Sequence, residues 1–374
     1  MSDLSVALPS LNGFAADLRD SQACSTSNAA RLLPAVALPA ESTGLISTLA
    51  RAAEKFRNAV GTELSAEASA VELLGTNLST AAGRFAQTED ASTAGLSGTP
   101  GSSIAVSAPL NGDEGGVSRF GGLQLPSLAE VTEEPRTIRR LVQSVIEALS
   151  VYDDRVSSAT GLRPTIDLLT PLAADWEAVR AIGKRIGLLG INDYVTQGNL
   201  ASGTNWLMGF WSGAAAQSFA ASSTALAQTT GARSLDFEAV SKTVEAGGAY
   251  IERLVYNQAA DLCERILQPM SFLGATFPLG AWAPYIDKPI NSAMRSEISA
   301  GLQSLETETS SRQQRIQAAV DKVAAVLDYI PKRSTPSLVG TEFDLPNKIA
   351  VGLGVRRFGY GDTVWWEDRF DAIF

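Results

Sequence analysis

The sequence contains no histidine. That absence removes Ser-His-Asp triads, Cys-His dyads, His-ligated zinc and the usual general base near neutral pH. Cysteine is almost as scarce. Cys24 and Cys263 exclude a metal site built on thiolates and a disulfide framework, and allow at most one bridge. Long hydrophobic runs are missing too. No stretch reaches the roughly 18 consecutive apolar residues that a membrane helix needs, so no membrane span is expected. The opening Met-Ser-Asp-Leu-Ser-Val-Ala-Leu-Pro lacks a basic region followed by an apolar run and does not read as a Sec signal. Basic residues are outnumbered by acidic ones, and the net charge of -10 argues against nucleic acid as a partner.

Recognisable catalytic motifs are also absent. There is no phosphate loop of the G-x-x-x-x-G-K-[ST] type, no dinucleotide fingerprint and no Gly-x-Ser-x-Gly elbow. Gly352-Leu-Gly354 and Gly359 have the wrong spacing and no helix after them. The adjacent acids Asp153-Asp154 and Glu367-Asp368 read as solvated faces. Neither an enzyme nor a bound cofactor is expected.

What is present is helical periodicity. The 374 residues suffice for two or three modules with a sizeable core. A first module spans 1–92. Its first helix runs from about Leu11 to Leu33 and is broken by Pro34 and Pro39. Ser42-Thr43 is a candidate cap for the next helix, whose face carries Leu45, Leu49, Ala52, Phe56 and Val60. After Gly61, a potential break, Leu64, Val71, Leu74, Leu78 and Phe85 continue the pattern. Ser92 to Gln124 is rich in Ser, Gly, Thr, Ala and Pro and reads as a linker, disordered or loosely laid on the surface, within a boundary of 93–132.

From Pro135 a helix carries Ile138, Leu141, Val145, Leu149, Tyr152 and Val156 on one face. The module 133–270 then forms a long hairpin. Its first arm presents Leu172, Trp176, Val179, Ile186 and Leu189; its second presents Val240, Val244, Ile251, Leu254, Leu262 and Ile266. Gly190 to Asn205 reads as a polar, glycine-bearing loop. Between the arms stands Asn205-Trp-Leu-Met-Gly-Phe-Trp-Ser-Gly-Ala-Ala-Ala-Gln-Ser-Phe219, in the middle of a span without charge from Tyr194 to Ala232. At a hairpin bend, Gly213 tolerates positive φ and close backbone approach. Trp211 buries a large ring there, with a hydrogen-bond partner expected for its indole N–H.

Ser271 to Ile286 is uncharged and apolar, its prolines and glycines rule out a regular helix, and it reads either as a segment buried by packing or, if exposed, as a docking patch. Packing antiparallel helices on either side puts it at a tip. Within 271–333, Pro289 to Tyr329 is the cleanest periodic segment: Ile298, Leu302, Leu305, Thr309, Arg312, Ile316, Ala319, Val323, Val326 and Ile330 alternate by 4 and 3, a heptad seam stopped by Pro331. The remainder, 334–374, mixes Gly, Pro and aromatics and reads as a packed strip or an appended recognition segment. The expected fold is all-α: an elongated bundle of long antiparallel hairpins, four-helix-bundle-like at its core, with a long C-terminal heptad helix.

Trp211-Ser-Gly213, centred between two long apolar-periodic arms, resembles the W-x-G family of type VII (ESX) secretion substrates of Gram-positive bacteria. Phe85-Ala-Gln-Thr-Glu-Asp90 resembles the Tyr-x-x-x-Asp/Glu export signal of the EspC-like branch, with Phe85 in the Tyr place, Glu89 in the acidic place and Asp90 beside it. Phe lacks the hydroxyl, a departure from the family pattern. At i and i+4 the ring and carboxylate share one helix face. The resemblance implies a protein made in the cytoplasm, exported without a Sec signal and found secreted or at the cell surface, with a structural, adaptor or host-interaction role. It implies the type VII secretion ATPase as a partner and a W-x-G family partner or self-association. It also implies a cytosolic chaperone at the hydrophobic tip, here Phe272, Leu273, Phe277, Leu279 and Trp282. Two other readings stand beside it: a secreted toxin or effector active in its C-terminal region, and a virion or envelope structural protein. No plausible nucleophile-base set follows the W-x-G module.

Overall fold

A computed structural model describes residues 6–97, 117–125, 127–132, 136–331 and 342–349. Expectations about 98–116 and 350–374 lie outside the described residues. The described chain is all-α apart from one two-stranded hairpin. In order come α1 (Leu8–Leu32), α2 (Ser47–Ser97), α3 (Thr137–Leu149), α4 (Asp153–Thr160), α5 (Glu177–Met208) and α6 (Ala214–Ile266). Strands β1 (Pro269–Phe272) and β2 (Ala275–Pro278), the single turn α7 (Leu279–Trp282) and α8 (Ser292–Leu327) follow. The 53 residues of α6 span about 80 Å at 1.5 Å per residue, and the bundle is elongated accordingly.

Local signals account for several element ends. Pro9 sits in the first turn of α1, where a missing N–H costs nothing. Asn291 caps α8 by accepting from the Met294 N–H at 2.7 Å. Gly161, at φ 77, closes α4. The N-terminus of α3 has no cap of its own and borrows one: the Ile138 N–H donates to the buried Glu177 carboxylate of α5 at 2.8 Å. Burial raises the pKa of that carboxyl.

Helices α1 and α2 lie antiparallel, as do α5 and α6, and α8 packs on α6 and α2. The apolar side chains form two clusters. The larger gathers Leu49, Phe56 and Val60 of α2, α3, the first half of α5, the second half of α6, and α8. The smaller gathers Leu11, Phe14 and Leu18 of α1, Val71, Leu74 and Leu78 of α2, Leu200 and Leu207 of α5, Trp211, and Phe219 and Ala227 of α6. Both therefore draw on the first and the second predicted modules.

A polar layer separates the clusters at the same level of all four helices. Ser25 and Asn28 of α1 meet Asn192 of α5: the Asn192 amide donates to Ser25 Oγ at 2.6 Å, and Asn28 donates to Asn192 Oδ1 at 3.3 Å. Beside them, Arg233 of α6 grips Asp193 of α5 with Nε at 2.6 Å and Nη2 at 2.9 Å, and donates also to Glu67 of α2. Thr230 adds a bond to Glu67 at 3.2 Å. All three ionic side chains are at most 5% exposed.

Several expectations are corrected. Gly190 to Asn205 is not a loop but the continuous second half of α5. Its glycines are there for close packing: a Cβ at Gly190 would meet Phe237 of α6 at 3.2 Å, and one at Gly203 would meet the Phe14 ring at 2.2 Å. Its polar residues, Asn192, Asp193, Thr196 and Thr204, are buried and hydrogen-bonded. Gly61 does not break α2. Thr43 precedes a 3-10 turn, Gly44–Ile46, but its side chain makes no capping bond. The helix predicted from Pro135 through Val156 is two helices joined by a 3-10 turn at Ser150–Tyr152. The heptad seam of α8 is buried from Ile298 through Val326 apart from the partly buried Arg312, and Ile330 lies beyond the helix and is exposed. Its polar interruption has partners. Thr309 donates to the Leu305 carbonyl at 2.6 Å, and Arg312 pairs with Asp261 of α6, which also holds Arg265 at 2.9 Å.

Candidate functional site

The bend between α5 and α6 is only Gly209 to Gly213. Gly213 adopts φ 105 and ψ -178, a region closed to residues with a Cβ. Its carbonyl starts α6 by accepting from the Gln217 N–H at 3.1 Å. Trp211 turns inward and is 4% exposed, with its ring 5.9 Å from Phe219. Its backbone bridges antiparallel to Val6, and the Ala7 N–H donates to the Phe210 carbonyl at 3.0 Å. Contrary to expectation, no acceptor for the Trp211 indole N–H is found among the described residues. Phe14, Phe120, Trp206, Phe210 and Phe219 complete an aromatic group around this end.

Phe85 of α2 is half-buried and packs against the same small cluster as Trp211, whereas Glu89 and Asp90 are exposed on the following turn. The fold thus brings Trp211, Gly213 and Phe85 to one end of the bundle, although they are more than a hundred residues apart. Glu89 and Asp90 are exposed on α2 one turn past Phe85.

The described part of the predicted linker lies along this end as well. Ser118 donates to the Pro9 carbonyl at 3.0 Å, and a Cβ at Gly13 would collide with the Ser118 carbonyl at 1.7 Å. Arg119 Nε bonds Asp17 at 2.6 Å and its Nη2 reaches Asp20, while the Phe120 N–H donates to Asp17 at 2.8 Å. Further on, Asn199 holds the Leu123 carbonyl at 2.9 Å, and Leu128 is buried. Residues 117–132, where described, form a strap on α1 and α5.

The apolar stretch after α6 forms the β-hairpin, with Met270 opposite Phe277 and Phe272 opposite Ala275. Its two-residue turn, Leu273-Gly274, has φ of 55 and 77, the positive pair that a type I′ turn needs. Leu273 is 86% exposed and Phe277 50%. Phe272 is half-buried and meets the Trp282 ring edge-on at 5.3 Å. Leu279 and Trp282 do not share this exposure. Both belong to the large core, and the Trp282 indole donates to the Met270 carbonyl at 2.9 Å. The candidate patch therefore contracts to Leu273, Phe277 and the edge of Phe272.

Residues 342–349 lie as a strip on α6 and α8. Phe343 is buried beside Tyr250, and Asn257 donates to the Asn347 carbonyl at 3.0 Å while accepting from the Ile349 N–H at 3.1 Å. Cys24 and Cys263 are both free, the first exposed and the second buried. Burial pushes the Cys263 thiol well up, which keeps it protonated. Among the described residues no cluster of Cys, Asp or Glu is arranged to hold a metal ion, and no helix is long and apolar enough to cross a membrane. No family model, curated protein or solved structure matches this chain.

No local sequence motif marks the Glu67–Asp193–Arg233 group. One signal for it exists: the chargeless span from Tyr194 to Ala232 begins one residue after Asp193 and ends one residue before Arg233. That span is the part of the hairpin lying on the Trp211 side of the polar layer.

Proposed function

We propose that this chain is an exported type VII (ESX) secretion substrate with a structural, adaptor or host-interaction role and no catalysis. The observation that carries the proposal is that Phe85 and Trp211 pack on one apolar cluster, at the end of the bundle where α2 also presents Glu89 and Asp90. A recognition surface for the secretion ATPase needs a rigid scaffold and an accessible charge close together. The buried Trp211 and the Gly213 bend supply the scaffold, and the exposed Glu89 and Asp90 of α2 supply the charge. In this scheme Trp211 shapes the end of the bundle rather than touching the partner. The exposed Leu273 and Phe277 at the hairpin tip are the surface for a cytosolic chaperone, since an uncovered apolar tip promotes aggregation before export. The protein is then found secreted or at the cell surface.

The test is export of a Glu89→Ala, Asp90→Ala double variant. Exposed carboxylates without an ion-pair partner contribute little to stability, so melting should be unchanged while the protein disappears from the culture filtrate. Unchanged export would remove these residues from the signal.

A further inference from the structure

The polar layer places two carboxylates and one guanidinium in the interior. Glu67, Asp193 and Arg233 come from three different helices, and all are nearly inaccessible to solvent. Among the described residues, the charges acting on Asp193 are those of Arg233 and Glu67. Glu63 on α2 and Asp236 on α6 are acidic, Tyr329 past α8 is bonded to Asp236 at 3.1 Å, and α1 contributes Ser25, Asn28 and Arg31, which donates to Asn28 Oδ1 at 3.1 Å. With both carboxylates ionised, the group carries one net negative charge out of water, which is strongly unfavourable. One proton bound makes it neutral.

We propose that this layer is a proton-held joint between the two apolar blocks, tight while Asp193 holds a proton and loosened when the proton leaves. The block that loosens is the one containing Trp211, Phe219 and the second half of α2. Burial, helped by the charge of Glu67 and opposed by Arg233, pushes the Asp193 carboxyl up to about 7. An aspartate in an unfolded or opened segment titrates near about 3.9. The closed joint therefore holds its proton where the opened one has lost it. Its stability is fully present at low pH, falls as pH rises from about 4 to about 7, and levels off above that.

Hydrogen exchange on the wild-type chain, corrected for intrinsic rates, reads the joint directly. Across that interval, opening of amides in 71–82 and 200–207 should increase toward tenfold per pH unit, so about fiftyfold between pH 5 and 7, with amides of α8 changing much less. Glu67→Gln leaves one carboxylate for one guanidinium and should flatten the dependence, and Asp193→Asn should do the same. A protonated-carboxyl infrared band present at pH 6 and lost by pH 8 in the wild type should be diminished in either variant. A change under threefold in the wild type overturns the proposal. So does a pH dependence that survives in whichever variant folds, or that is equal throughout the chain.

Discussion

Replacing Trp211 by Ala probes the bend most informatively, because burial and recognition then separate. The ring is 4% exposed and lies among Leu207, Ala216 and Phe219. Truncating a buried tryptophan to Ala costs about 3–5 kcal/mol when the cavity cannot collapse. Here the helices on each side are held by the short Gly209 to Gly213 bend, which limits collapse. One contribution works the other way. The indole N–H has no acceptor among the described residues, and leaving such a donor buried costs about 1–3 kcal/mol. Trp211→Phe removes that donor and keeps most of the apolar ring, so it should lose less than about 2 kcal/mol. The assay is chemical denaturation followed by far-ultraviolet circular dichroism, comparing midpoints at constant slope. The reasoning requires Ala to be clearly worse than Phe. A loss below about 1 kcal/mol for Ala, against the 3–5 expected of a core ring, would refute it and return Trp211 to the role of a presented surface.

Other substitutions test neighbouring features. Gly203→Ala drives a Cβ to 2.2 Å from the Phe14 ring and should cost about 1–3 kcal/mol in the same denaturation assay. Leu273→Gly relieves a left-handed residue at φ 55 and should raise stability by about 1 kcal/mol, measured by thermal unfolding. Phe277→Ser, at a half-exposed site, should increase solubility, leave the melting temperature unchanged and abolish chaperone pull-down. A drop of several degrees with unchanged partner binding would mark Phe277 as core.

The parts of the fold legible in the sequence are those where one face alone decides burial. The α8 seam is such a case, since Ile298, Leu302, Leu305, Ile316, Val323 and Val326 each need only an apolar neighbour. The second half of α5 was illegible because its partners are remote. Asn192 is satisfied by Ser25 and Asn28 some 165 residues earlier, and Asp193 by Arg233 forty residues later. Without those partners, a run of Gly, Asn and Thr resembles a loop. Residues 117–125 are similar: Asp17 and Asp20 hold Arg119 across about a hundred residues, a pairing no local pattern carries. At the tip, prolines and glycines excluded a helix, but Leu273 in a left-handed turn contradicts residue preference. Only Gly274 signalled the hairpin. For the candidate sites, the bend at Trp211 and Gly213 was readable from motif and centring. Its proximity to Phe85 was not, because it depends on α1 and α2 folding back along α5 and α6.

The most direct measurement is export itself. The protein is expressed in a type VII-competent bacterium, and culture filtrates and cell lysates are blotted for it in isogenic strains with and without the type VII secretion ATPase, using a cytoplasmic protein as lysis control. The account predicts the protein in the filtrate of the intact strain, and its retention in the lysate when the ATPase is missing. Equal amounts in both filtrates, or none in either, would contradict it.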